Sequence, residues 1–102
     1  MMSARRSKFE IYIDILTEIK TGIIIPTRIM YGANLSWKPL KYILETMCNQ
    51  GLIEEFSLLE GDKRTKRAYH LTEKGDNVLK YFNRARDLME IEKPQIVKSN
   101  QY

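Results

Sequence analysis

Residues 34–75 constrain the fold of this chain more than any other stretch. They open with a helix-length amphipathic segment, 36–50 (SWKPLKYILETMCNQ). An apolar strand-like run follows, then a charged turn, a second strand-like run and a new helix start. In the first segment Leu40, Ile43, Leu44 and Met47 recur at the spacing of one helix face and form its buried stripe. Trp37, Lys38, Lys41 and Tyr42 fall on other faces near its start. Ser36 is the expected N-cap, and Pro39 is tolerated because first-turn N–H groups have no intrahelical partner. Gly51 closes the helix. Residues 52–58 alternate loosely, as a strand does, and Glu60-Gly61-Asp62 has turn chemistry. Residues 66–71 form the return strand, with Ala68, Tyr69 and Leu71 as packing candidates.

The flanks are helical. Ser7 with Glu10 three residues later predicts a capping box, and Phe9, Tyr12, Ile13, Leu16 and Ile19 follow as one helical face. Ile11 and Ile15 lie on a different face, and a second apolar stripe calls for a second partner, for which another subunit is the candidate. Gly22 ends this helix. Ile23-Ile24-Ile25 reads either as a small strand or as an apolar plug. Pro26 suits the first turn of a short helix over 27–31, and Gly32-Ala33-Asn34 supplies a turn before the plug residue Leu35. Thr72 caps the last helix, with Glu73 and Asp76 in its positive first turn. Val78, Phe82, Ala85 and Met89 follow 4-3-4 spacing, Leu79 and Leu88 widen the stripe, and Pro94 stops it. This divides the chain into a compact unit over 1–71, a helix of the same domain over 72–93 and a loose tail over 94–102.

The chain's 102 residues are 43% hydrophobic and 29% charged, enough for one domain with a modest core. A formal net charge of +4 and a pI of about 9.2 lean toward polyanionic partners. Cys48 is the single cysteine, so no internal disulfide forms and an intracellular, cytoplasmic setting is expected. No apolar run approaches the roughly 20 residues that cross a bilayer, and none follows the basic N-terminus as in a signal peptide. No catalytic grouping is present: His70 is the only histidine, Glu54 and Glu55 point to opposite faces of a strand, and Cys48 sits on an apolar helix. A zinc site and a glycine-rich phosphate loop are also missing. The expectation is a non-enzyme without cofactor, metal or membrane association.

The order of elements, a helix followed by a basic hairpin and another helix, is the signature of a winged helix-turn-helix. The short motifs agree: Ile29-Met30-Tyr31, Asn34-Leu35-Ser36, Gly51-Leu52-Ile53 and Leu71-Thr72-Glu73-Lys74-Gly75. From Phe9 to Met89 the chain resembles small archaeal winged-helix proteins and is similar to the ten-kilodalton DNA-binding proteins of Sulfolobus. That resemblance implies an α+β, mostly α fold, with a long C-terminal helix that pairs as an antiparallel coiled coil in a homodimer. The partners it implies are double-stranded DNA and a second copy of the chain, in a nucleoid-associated protein that serves as a transcriptional regulator or a chromatin-like protein. The alternative is a winged-helix module that binds another protein and uses its charges for solubility.

Candidate contacts with DNA follow from placing the 36–50 helix in a major groove, where its N-terminal residues meet base edges and its first-turn N–H groups meet phosphates. They are Ser36, Trp37, Lys38, Lys41 and Tyr42, with Arg28 on the preceding helix against the backbone. Two readings stay open for Trp37 and Tyr42: groove contact, or packing in a core or interface. Lys63, Arg64, Lys66 and Arg67 put four cations at the hairpin tip, suited either to phosphates or to edge protection and solubility. Arg5, Arg6 and Lys8 offer a terminal phosphate-binding arm, or simply solvated charge. The expected dimer interface comprises Val78, Phe82, Ala85, Leu88 and Met89, bordered by Ile11 and Ile15.

Overall fold

The computed structural model describes residues 6–60 and 64–89. Its order is α1 (Lys8–Lys20), α2 (Pro26–Gly32), α3 (Trp37–Asn49), β1 (Ile53–Glu60), β2 (Arg64–Leu71) and α4 (Glu73–Leu88). The two strands form one antiparallel hairpin, in register from Ile53 opposite Leu71 to Glu60 opposite Arg64. Both strands run closer to the hairpin tip than the alternation predicts. The 94–102 tail, the end of the 72–93 helix and Gly61-Asp62 of the turn lie outside the described residues.

Local chemistry sets the helix boundaries. At α1 the Ser7 hydroxyl accepts from the Glu10 N–H at 3.1 Å, and the Glu10 carboxylate accepts from the Ser7 N–H at 2.7 Å. The first three helices end alike, with a left-handed residue just past the cap and two backbone bonds folding the chain back. After α1 that residue is Gly22 (φ 104°), with Gly22 N–H on the Ile19 carbonyl and Ile23 N–H on that of Glu18. After α2 it is Asn34 (φ 57°), with bonds to Tyr31 and Met30. After α3 it is Gly51 (φ 76°), with bonds to Cys48 and Met47. These reversals fix how α2 leads into α3 and how α3 leads into the hairpin.

The core is shared by all elements: Ile13, Ile15, Leu16 and Ile19 of α1, Ile29 of α2, Leu40, Leu44 and Met47 of α3, Leu52, Ile53 and Tyr69 of the hairpin root, and Leu79 of α4. Helix α1 lies against α2, β2 and α4 together. That explains a correction: Ile15 is 0% exposed, so it is a core residue and cannot border a subunit interface. Both apolar stripes of α1 find their partners within the chain. Ile23-Ile24-Ile25 is a plug with one strand-like contact, the Ile24 carbonyl accepting from the Tyr69 N–H at 3.0 Å.

Helix α4 is seated through its first turn. Thr72 Oγ1 accepts from the Gly75 N–H at 3.0 Å and donates to the Gly51 carbonyl at 2.5 Å, while Thr72 N–H donates to the Leu52 carbonyl at 3.1 Å. Gly75 is buried there, and a Cβ on it would stand 2.0 Å from the Leu52 carbonyl oxygen. Lys74 Nζ reaches the Gln50 carbonyl at 2.7 Å, and Lys20 Nζ of α1 reaches Asp76 at 2.7 Å. The Leu71–Gly75 motif is therefore a docking device for α4 on the end of α3.

Candidate nucleic-acid interface

The burial of Leu40, Leu44 and Met47 turns the opposite side of α3 outward. Successive helical residues turn by about 100°. Trp37, Lys41, Glu45, Lys38 and Tyr42 therefore follow one another around that side, and all five are exposed. Trp37 is 44% and Tyr42 66% exposed, which removes the core-packing reading for both rings. Lys38, Lys41 and Arg28 are exposed and, among the described residues, have no carboxylate within ion-pair distance. Ser36 is the N-cap of α3, yet its hydroxyl makes no capping bond. The physical reason is Pro39: it occupies the third helical position and has no N–H to offer. The Ser36 hydroxyl is left facing solvent at the head of the same surface.

The hairpin divides its cations by strand alternation. Lys66 stands opposite Leu58 on one face, and Arg67 opposite Ser57 on the other. Both side chains are exposed. Arg67 is ion-paired with Glu55, so part of its charge is offset within the hairpin. Burial, then Glu55, pushes the Tyr69 phenol up, and Arg67 opposes that shift. On the other face His70 lies 3.4 Å from Glu54 and its ring sits 5.3 Å from that of Phe56. Lys63 and the side chain of Arg64 lie outside the described residues, as does Arg5.

Sequence reasoning missed the contacts that depend on distant partners. Arg6 is no free arm: it pairs with Asp14 at 2.6 Å and donates to the Asn34 carbonyl at 3.1 Å, tying the start of α1 to the turn before α3. Glu45 had no place in the expected surface, although its position four residues after Lys41 puts it on the same side. Tyr31, at the end of α2, is 78% exposed. Cys48 is half-buried against the core, and burial, with Glu55, Glu45 and Glu54, pushes its thiol up, away from nucleophilic thiolate character. Among the described residues no cluster of histidine, cysteine or carboxylates is placed to hold a metal, and no helix is long and apolar enough to cross a membrane.

The far end of α4 is the other feature left open. Phe82, read from its spacing as a bare interface residue, is half-buried: Phe9 meets it edge-on at 5.4 Å and the Arg86 guanidinium lies over its ring at 5.6 Å. Val78 and Ile11 are likewise half-buried against the chain's own core. Ala85, Leu88 and Met89 remain exposed, the last two at 70%, together with Tyr81.

A short helix, a reversing turn, a second helix with an outward polar face, and a two-stranded hairpin define the winged helix-turn-helix class. The winged helix-turn-helix family profile matches residues 5–90, and the chain belongs to that family. It is 38% identical over 71 residues to an uncharacterised protein of Methanocaldococcus jannaschii, covering 70% of this chain and 64% of the other. The chain thus spans less than two thirds of that relative's length. Among solved structures it resembles a PadR-like transcriptional regulator of Bacillus cereus, with a TM-score of 0.73 and 18% identity over 91% of this chain and 96% of that one. It also resembles Sso10a-2, a DNA-binding protein of Sulfolobus solfataricus, with a TM-score of 0.65 and 24% identity over 83% of each chain. Bacillus subtilis PadR, solved in complex with operator DNA, superposes with a TM-score of 0.60 and 18% identity, over 89% of this chain and 52% of that one. At these identities the likeness is one of fold.

Proposed function

We propose that this chain binds duplex DNA as a homodimer and acts as a transcriptional regulator or a chromatin-like nucleoid protein. Helix α3 enters the major groove, Arg28 approaches the flanking backbone, and the wing, through Lys66 and the tip cations Lys63 and Arg64, lies along neighbouring phosphates. The observation that carries this reading is the solvent-facing set Arg28, Lys38 and Lys41, which lacks ion-pair partners among the described residues and is concentrated on the helix-turn-helix. A cation that has no internal partner exchanges only water and counterions for a phosphate, so its contact is net favourable through counterion release. The structural likeness to Sso10a-2 and to PadR, which was solved on operator DNA, supports the same reading. Arg67 contributes less than its position suggests, because a phosphate must compete with Glu55 for it.

The dimer runs through the outer half of α4, where Tyr81, Ala85, Leu88 and Met89 leave an apolar stripe in water. Positions 81, 85 and 88 recur at 4-3 spacing, which suits a second helix. Two linked winged units then hold a duplex more tightly than one. A fluorescence anisotropy titration on random-sequence duplex at two salt concentrations tests the proposal. The expected result is binding whose logarithm falls linearly with the logarithm of salt. Affinity no greater than that of unrelated basic proteins of equal charge would instead support a protein-interaction module.

A further inference from the structure

The aromatic rings on the helix-turn-helix are not explained by phosphate contacts. Trp37 and Tyr42 bracket the outward side of α3, and Tyr31 stands exposed at the end of α2. Among the described residues none of these three rings stacks on or meets another aromatic ring. Rings of this size normally bury most of their apolar surface. Around α3 the order is aromatic, lysine, glutamate, lysine, aromatic. A plain phosphate track would not carry Glu45 one turn beyond Lys41 on the same side, because a carboxylate there repels the strand the lysines are meant to hold. A carboxylate on this side instead accepts from base amino groups, while the two lysines before it hold the backbone.

An intact duplex makes poor use of the two ring faces. Its bases are stacked on one another and offer only their edges in the grooves. An indole has a single donor and no acceptor, so it reads little at an edge. Its value is its face, and base faces are open only where a strand is unpaired. Trp37 and Tyr42 are separated by about 7.5 Å along the helix axis, roughly twice the ~3.4 Å spacing of bases in a duplex strand. That spacing matches splayed bases better than adjacent stacked ones.

We propose that α3 is a stacking platform for unpaired bases, so that the chain binds single-stranded DNA through Trp37 and Tyr42, with Lys38 and Lys41 on the backbone. The proposal rests on the nucleic-acid reading above and deepens it. Trp37 is the only tryptophan of the chain, so its fluorescence reports this one position.

The test titrates the full chain with an unstructured single strand of about 20 nucleotides, built from cytosine and thymine so that it offers base amino groups, and with a blunt duplex carrying the same number of phosphates. Binding is followed by anisotropy of the labelled DNA and by Trp37 emission. The expected result is quenching of Trp37 on the single strand and little change on the duplex. Trp37→Ala and Tyr42→Ala should each weaken single-strand binding on the order of tenfold, and by clearly more than they weaken duplex binding. Trp37→Phe should retain most of the single-strand affinity, since a π-face remains. Both positions are exposed, and unchanged circular dichroism and thermal midpoints confirm that the variants fold. Duplex binding without single-strand binding, equal quenching on both, or equal losses on both would overturn the stacking platform and leave the duplex reading standing. Failure to bind either DNA would overturn both.

Discussion

Gly75→Ala tests whether α4 is docked as described. The added Cβ would stand 2.0 Å from the Leu52 carbonyl oxygen and 3.0 Å from its carbon, and both are backbone atoms that cannot rotate aside. The first turn of α4 must therefore lift off. Forcing one methyl into a packed contact costs about 1–3 kcal/mol. The lift also strains the Thr72–Leu52, Thr72–Gly51 and Lys74–Gln50 bonds, each contributing about 0.5–1.5 kcal/mol net. Against this, alanine gains about 1 kcal/mol over glycine within a helix. The balance is a loss of about 1.5–6.5 kcal/mol, depending on how far the three bonds are broken, and hence a fall in Tm of at least roughly 6 °C for a domain of this size. Two glycines serve as internal controls. A Cβ on Gly32 meets the carboxylate of Glu18, the far end of a side chain that can swing away, so Gly32→Ala should stay within about 0.5 kcal/mol of the parent. Gly51 has open space but a φ of 76°, so Gly51→Ala should cost about 1–2 kcal/mol through backbone strain alone. The assay is thermal and urea unfolding followed by circular dichroism, with all variants at one protein concentration. Gly75→Ala that melts at or above the parent temperature would refute the close seating of α4 on Leu52.

Further expectations concern assembly and pH. Leu88→Glu together with Met89→Glu should convert a dimer into a folded monomer by light scattering and lower DNA affinity; a parent chain that is already monomeric would remove the α4 interface. Hydrogen bonds from Lys20 and then Lys80 hold the Asp76 carboxyl below its ordinary value. Its folded pKa is thus depressed, so its contribution is complete above the unfolded value of about 4 and is lost as pH falls through the folded value. Asp76→Asn should melt below the parent at neutral pH, with the gap closing in acid; a gap independent of pH would exclude this linkage.

The features legible in the sequence are those whose partners are near in the chain. The Ser7–Glu10 capping box, the reversals at Gly22, Asn34 and Gly51, and the Thr72 cap each involve residues within about one helical turn, so a local pattern carries the whole cause. The inward stripe of α3 is also local, because helical period alone decides it. What was not legible depends on distant pieces meeting. Ile15 looked spare because its face of α1 has no sequence neighbour to cover it; β2 and α4, remote in sequence, flank that helix. Arg6 reads as a terminal charge until Asn34, 28 residues away, comes within hydrogen-bond reach. Gly75 reads as a helix weakness until the Leu52 carbonyl is placed against it. Arg67 and Glu55 face each other only once the hairpin register is known. The uncapped Ser36 needed only the observation that Pro39 removes the N–H its hydroxyl would take, a signal the sequence already contained.

The proposed phosphate contacts of the helix-turn-helix are Arg28, Lys38 and Lys41. The most direct test is the salt dependence of duplex binding for the parent and for the triple alanine variant at these positions. Every phosphate that the variant no longer neutralises should lower the steepness of log K against log salt by about 0.9. The expected slope for the triple variant is shallower by about two to three per engaged protomer, hence by about five for a dimer holding the duplex with both units, with Arg67→Ala close to the parent. A parent and a triple variant with the same slope would contradict it.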